Sequence, residues 1–308
     1  MSDSDMTIAV TSAPESSVSP LVAWIKRHPL IAYFVLAFAG TWLVMSPLVL
    51  SQDGSGLLPY HLPDWLYLVI YVFSAYTGPA LAAFLVIAAE RGRPGVRAWL
   101  RRFVLWRVGI QWYLVAIFGI FVTWLVALSV VYQRSPLEPL MQPEVWSLFA
   151  TFLLVGIVVP GYGEEPGWRG YALPKLQERY GPMAGSLVLG AMHGLWHLPV
   201  FFTPFLGPFT LLTYTTFLLT AVAITFIYTW IYNKTRGSIL IAVLVHAGSN
   251  ASSTALAAAF PADAPLSGWL EPFMQDGWFN VVVFGVVAII LVTITRGTLS
   301  YRGVNELE

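Results

Sequence analysis

The 308-residue chain contains no cysteine, which excludes disulfides, thiolate metal sites and a cysteine nucleophile. It is also poor in charge. Asp, Glu, Lys and Arg make up 10% of the residues, against about a quarter in a soluble protein of ordinary composition. Residues 1–20 lack the basic start of a secretory signal and are rich in Ser and Pro, so they are expected to form a disordered cytoplasmic tail. There is no glycine-rich phosphate loop, no repeat of fixed period and no soluble second domain, and no nucleic-acid partner is expected. The HExxH helix of common zinc proteases is absent as well.

What the chain does have is apolar length: 57% of it is hydrophobic and its mean hydropathy is +0.70. Eight runs, at 30–51, 66–90, 110–132, 147–168, 184–203, 209–232, 238–258 and 278–295, each approach the ~20 apolar residues that cross a bilayer. The expected fold class is therefore all-α, a polytopic membrane protein of about eight transmembrane helices. Placing the N-terminus inside puts every Lys and Arg except Arg134 on the inner side, as short cytoplasmic loops require. Both termini are then cytoplasmic, and the net charge of zero conceals the asymmetry. The lipid bilayer is the first expected partner, and the expected location is a prokaryotic plasma membrane.

Four regions follow from this reading: the tail 1–20; membrane helices over 21–144; a core at 145–258; and 259–308 with an outer loop, the last span and a cytoplasmic tail. The connector RGRPGVRAWLRRFVLWRVG between spans two and three alternates Arg97, Arg101 and Arg102 with Trp99, Leu100, Phe103 and Trp106. A basic helix with a Trp-rich apolar side suits the inner membrane surface. It reads first as a connector obeying the positive-inside rule, with a grip on substrate or anionic lipid as the sharper alternative.

Three apolar stretches carry polar residues that lipid-buried helices avoid, and such residues mark functional sites by default. The first is GYGEEPGWRGY, with Glu164, Glu165 and Arg169. Its Pro160, Gly161, Gly163 and Pro166 argue against an undisturbed helix, and irregular backbone at membrane depth needs protein or a cavity around it. Where helical geometry resumes, Arg169 comes four residues after Glu165, in reach of the carboxylates. One carboxylate is then paired and the other is free to take a proton, a division suited to a general base. A solvated helix end is the plainer reading. The second stretch, LGAMHGLWHLPVFF, puts His193 and His197 on one helix side, against the alternative of satisfied packing residues. The third, LIAVLVHAGSNAS, does the same for His246 and Asn250. The plainer reading there is interhelical hydrogen bonding.

Together the three supply what hydrolysis of an amide by activated water requires. A carboxylate takes a proton from water, a histidine orients the water or protonates the leaving amine, and His and Asn donors hold the oxyanion. No serine or cysteine nucleophile is needed.

GEEPGWRGYALPKLQERYGP, GLWHLPVF and VHAGSNAS resemble the three motifs of the CAAX prenyl endoprotease and bacteriocin-processing (CPBP, Abi) membrane proteins, which include the Ras-converting endoprotease. The resemblance covers roughly 145–255. It implies an intramembrane endopeptidase in which Glu164 activates water, Glu165 and Arg169 support it, His197 is the second catalytic residue, and His246 and Asn250 hold the oxyanion. Two departures stand out: His193 occupies the aromatic position of the second motif, and Pro166 directly follows the glutamate pair, where it is expected to push Glu165 out of helical geometry. Glu164, His193, His197 and His246 would make an acceptable zinc set in ligand type, but the resemblance points to metal-free water activation, so no cofactor is preferred. The substrate is expected to be a peptide or protein, with lipidated or membrane-anchored ones compatible, and the chamber to open toward the cytoplasm or the inner leaflet. A zinc-dependent protease, a proton-coupled transporter and a non-hydrolytic immunity or scaffold relative are the alternatives. The clustering of polar residues in one half disfavours the transporter.

Overall fold

The computed structural model describes residues 19–206, 209–260, 266 and 270–303. Among the described residues there is no strand; every element is helical. The expected tail lies outside them up to residue 18, and its boundary needs correction: Ser19 caps a short helix α1 (Pro20–Arg27), accepting from the Val22 amide at 3.3 Å. Proline at the first helical position costs no hydrogen bond, so the helix starts there.

The first span is α2 (Pro29–Leu50). The second runs through α3 (Asp64–Ala75), a π-turn at Tyr76–Ala80 and α4 (Leu81–Arg101). Gly92, at φ +60°, bends α4 where the apolar run ends, so the connector is the last part of the same helix. Glycine tolerates this left-handed backbone. Then follow α5 (Ile110–Val131), α6 (Leu137–Leu140), α7 (Pro143–Gly156), a π-turn at Ile157–Gly161, α8 (Tyr162–Gly167), a third π-turn at Trp168–Ala172, and α9 (Leu173–Trp196). The chain closes with α10 (Leu211–Lys234), α11 (Ile239–Ala259), α12 (Leu270–Gln275) and α13 (Trp278–Ile294).

Among the described residues six helical stretches are long and apolar enough to cross a membrane, and α13 is a shorter apolar helix. One of the six, Pro143–Phe202, is 60 residues long and carries two expected spans. It reverses inside α9 at Gly181, φ +76°, where a side chain would be strained. The return is tight: a Cβ on Gly185 would come 3.0 Å from the Leu176 carbonyl carbon. The eight expected runs thus map onto α2, α3–α4, α5, α7, the second half of α9, α10, α11 and α13, and the chain is an integral, polytopic, all-helical membrane protein.

The backbone around the glutamate pair is disturbed without being broken. Pro160 falls in a π-turn, as Pro79 does in α3–α4, and the wider turn relieves the ring's clash with the preceding carbonyl. Pro166 stays helical within α8, so Glu165 keeps helical geometry and the expected displacement is corrected. The Tyr76 hydroxyl donates to the Val158 carbonyl, tying two of the π-turns together.

Small residues let these irregular helices approach. Gly163 and Gly167 lie one turn apart on α8 and face α3 and its π-turn, the spacing by which membrane helices bring backbones together. A Cβ on Gly167 would meet the Pro79 oxygen at 2.3 Å and the Tyr33 hydroxyl at 2.6 Å. Gly167→Ala is therefore expected to cost about 1–3 kcal/mol of stability through overpacking, read as a lower melting temperature in detergent. An unchanged melting curve would contradict this close approach.

The helix at the centre is α11, where 72% of the most apolar window is buried against 22–44% in the other spans. It packs on α5 and α7. One apolar core joins Tyr33, Val86 and Trp99 from the first helices to Trp168, Leu173, Leu189 and Val243. The N-terminal helices thereby wall the segment that holds the glutamates.

Candidate active site

Six of the seven expected site residues converge where α8, α9 and α11 meet. Glu165 and Arg169 are 0% exposed, and Glu164, His193 and His246 are buried. Isolated charges at such a place would be costly, so each must be paired.

The pairing starts on α8. The Arg169 Nη1 donates to Glu165 Oε1 at 2.8 Å, one helical turn apart as the spacing predicts. Its Nη2 donates to Thr225 Oγ1 at 3.4 Å, and the guanidinium stacks 4.7 Å from the centre of the Tyr228 ring. Both partners lie on α10, three residues apart and so on one face. Neither was singled out from the sequence, although a Thr and a Tyr sharing one face of an apolar span are the available signal.

The same Glu165 Oε1 accepts from His246 Nδ1 at 2.8 Å. Glu165 therefore joins α8 to α11, fixing the His246 ring and leaving its Nε2 as the free edge. Glu164 is engaged differently, accepting at Oε2 from His193 Nε2 at 2.8 Å. His197 donates from Nδ1 to the His193 carbonyl at 2.9 Å. Because a carbonyl can only accept, this bond assigns the tautomer and leaves Nε2 of a neutral His197 as an acceptor. Aromatic rings enclose the pair: Trp168 lies 5.2 Å from His193, Trp196 packs edge-on to His197 at 4.7 Å and Phe217 lies at 5.2 Å from it.

Asn250 is the residue not gathered in. It follows His246 by one turn of α11, but it is exposed and its side chain makes no hydrogen bond among the described residues. The four expected metal candidates divide as well. Glu164, His193 and His197 place ligand atoms within 4.8 Å of one another; His246 is outside that group and turned to Glu165.

His193 matters more than its place in the second motif implies. A mere substitute for an aromatic side chain would not touch Glu164. His193→Phe is accordingly expected to lower turnover about 10- to 100-fold, the loss of one hydrogen bond to a charged group of roughly 1.5–3 kcal/mol. Turnover within twofold of the unaltered protein would return His193 to a packing role.

The connector also reaches the site. The Trp99 indole donates to the Pro166 carbonyl at 3.0 Å, and Arg102 donates to the carbonyls of Gly170 at 2.9 Å and Gly237 at 3.0 Å. Arg97 and Arg101 remain exposed, as a positive-inside connector requires. Trp99 and Arg102 instead turn inward to clamp the backbone on either side of Arg169, a role their alternation with apolar residues did not reveal.

Residues 145–252 match the family model described as type II CAAX prenyl endopeptidase Rce1-like. The chain is also similar to the protein named CAAX prenyl protease 2 of Methanococcus maripaludis, 34% identical over 88 residues. That alignment covers 27% of this chain and 32% of the relative, so the chain spans about a third of that relative's length. The matched region contains all six clustered side chains and Asn250, so the site lies in the part of the chain that is similar to type II CAAX prenyl endopeptidases.

Proposed function

We infer that the protein is an intramembrane endopeptidase that hydrolyses a peptide bond with water activated by Glu164. The observation that carries this reading is the buried division of labour between two adjacent carboxylates. Glu165 is tied through Oε1 to the Arg169 guanidinium and to His246, its Oε2 being buried without a partner, whereas Glu164 has only His193 among the described residues. A carboxylate held this way is available as a base.

The reaction balances on these groups. Water gives a proton to Glu164 while its oxygen bonds to the substrate carbonyl carbon, and the carbonyl electron pair moves onto oxygen. His197 Nε2 accepts from the same water and orients it. In its doubly protonated form His246, whose Nδ1–H donates to Glu165, also donates from Nε2 to the oxyanion, with Asn250 as a second donor once substrate brings it inward. On collapse the C–N bond breaks, and the proton held by Glu164 goes to the leaving amine.

Zinc fits this cluster less well than water does. Glu164, His193 and His197 are acceptable ligand types, but a tetrahedral ion with bonds of 2.0–2.1 Å sets its ligand atoms roughly 3.3 Å apart. Glu164 and His193 already touch at 2.8 Å, closer than two ligands of one tetrahedral ion. A water, with hydrogen bonds of about 2.8 Å, spans the 4.8 Å group without displacing any member. No step is therefore assigned to a metal.

The substrate class follows from the site's depth and from the relative's name. A peptide bond must reach residues buried among membrane helices, which favours a segment anchored beside the bilayer by a lipid or an apolar helix. A prokaryotic plasma membrane remains the expected location. The test is cleavage of quenched fluorescent peptides, with and without a farnesyl-cysteine, by the purified full-length protein in lipid nanodiscs. Cleavage, faster with the farnesylated set, is expected. Folded protein that cuts none of the peptides would turn the reading to a non-hydrolytic relative.

A further inference from the structure

On the inner side by the charge rule, away from the glutamates, three separate stretches of chain enclose a cavity of about 380 Å³. Arg107 comes from the turn before α5, Lys234 from the end of α10, Arg236 from the turn between α10 and α11, and Arg302 from the segment after α13. All four are exposed, and none forms an ion pair among the described residues. Trp112 and Tyr301 also line it, and among the described residues no Asp or Glu does. Four cations of one sign facing one space repel one another unless an anion sits among them.

We propose that this cavity is a binding site for a phosphate-bearing anion, with the headgroup of an anionic membrane phospholipid as its occupant. Depth on the molecule selects the lipid. The cavity lies where the apolar part of α5 begins, and Ile110 (74% exposed) at that end of α5 and Ile294 (67% exposed) at the end of α13 present apolar surface beside it. Phosphate among the cations and acyl chains along these helices satisfy both surfaces at once, as in other basic pockets between membrane helices on the cytoplasmic side. Guanidinium groups from different segments also suit the several oxygens of one phosphate.

The site is built into the fold. Arg236 Nη2 donates to the Arg107 carbonyl at 2.5 Å, which holds two of the three stretches together. Ser238, which caps α11 through the Ile241 amide at 3.2 Å, donates to the Leu105 carbonyl at 2.8 Å. Arg102 ties Gly237 to Gly170. An anion here would brace the turn from which α11 carries His246 into the site.

The test is native mass spectrometry of the full-length protein, released from mixed phosphatidylglycerol and phosphatidylcholine and compared with the variants K234Q/R302Q and R93Q/R97Q. The second pair removes the same charge elsewhere on the inner face. One retained phosphatidylglycerol per chain is expected, weakened roughly 10- to 30-fold in K234Q/R302Q and unchanged in R93Q/R97Q. Equal weakening in both pairs, or no preference over phosphatidylcholine, would overturn the proposal. Should K234Q/R302Q lose its melting transition, Arg107→Gln takes its place, since that side chain is exposed and lies over the Trp106 ring. Added inorganic phosphate separates the sources: failure to displace the lipid assigns the site to the headgroup, and displacement at millimolar concentration overturns that assignment in favour of a free anion.

Discussion

Glu164→Gln is expected to lower peptide cleavage by roughly 10²–10⁴-fold, the usual contribution of a positioned base, with little change in stability. The amide has nearly the shape of the carboxylate and can still accept from His193 Nε2 through its oxygen, so the 2.8 Å contact survives. What is lost is the capacity to take a proton. The comparison with His193→Phe is informative because that variant removes the contact and leaves the carboxylate. If Glu164 acts as the base and His193 only holds it, Glu164→Gln must be the more damaging of the two. The reverse order would move the base to the histidine.

Arg169→Leu is expected to damage the fold as well as the chemistry. The guanidinium is fully buried, and its removal leaves Glu165 with His246 as its remaining partner. Breaking a buried ion pair from one side costs about 3–5 kcal/mol, so a large fall in melting temperature and loss of cleavage should occur together. Removing both charges in E165L/R169L should recover much of the stability, because a paired charge replaced by apolar groups on both sides is often neutral. It should recover none of the activity, since His246 would lose the carboxylate that orients it. A stable, active Arg169→Leu protein would mean that Glu165 is satisfied some other way.

The cluster is legible in the sequence where it depends on helical spacing. Glu165 and Arg169, His193 and His197, and His246 and Asn250 are each four apart, and that interval puts two side chains on one face whatever the tertiary fold. The spans were legible from apolar length. Less legible was whatever depends on contacts between distant segments. His193 occupies an aromatic position by motif, yet only the crossing of α8 and α9 puts its Nε2 on Glu164. Pro166 is expected to disturb the helix at Glu165, but the flanking π-turns at 157–161 and 168–172 take up the irregularity. Trp99 and Arg102 lie in a run whose other arginines face outward, and sequence alternation cannot say which members turn in to meet a carbonyl. Asn250 shares a face with His246 by spacing, yet it is exposed and its side chain makes no hydrogen bond among the described residues.

The most direct measurement is the initial rate of cleavage of one farnesylated peptide by the unaltered protein and Glu164→Gln, each after chelator treatment and after zinc addition. The expected result is that the unaltered protein keeps its rate in chelator and gains nothing from zinc, while Glu164→Gln is inactive in both conditions at an unchanged melting temperature. A rate that vanishes with chelator and returns with zinc, or a Glu164→Gln protein that cuts as fast as the unaltered one, would contradict water activation by Glu164 alone.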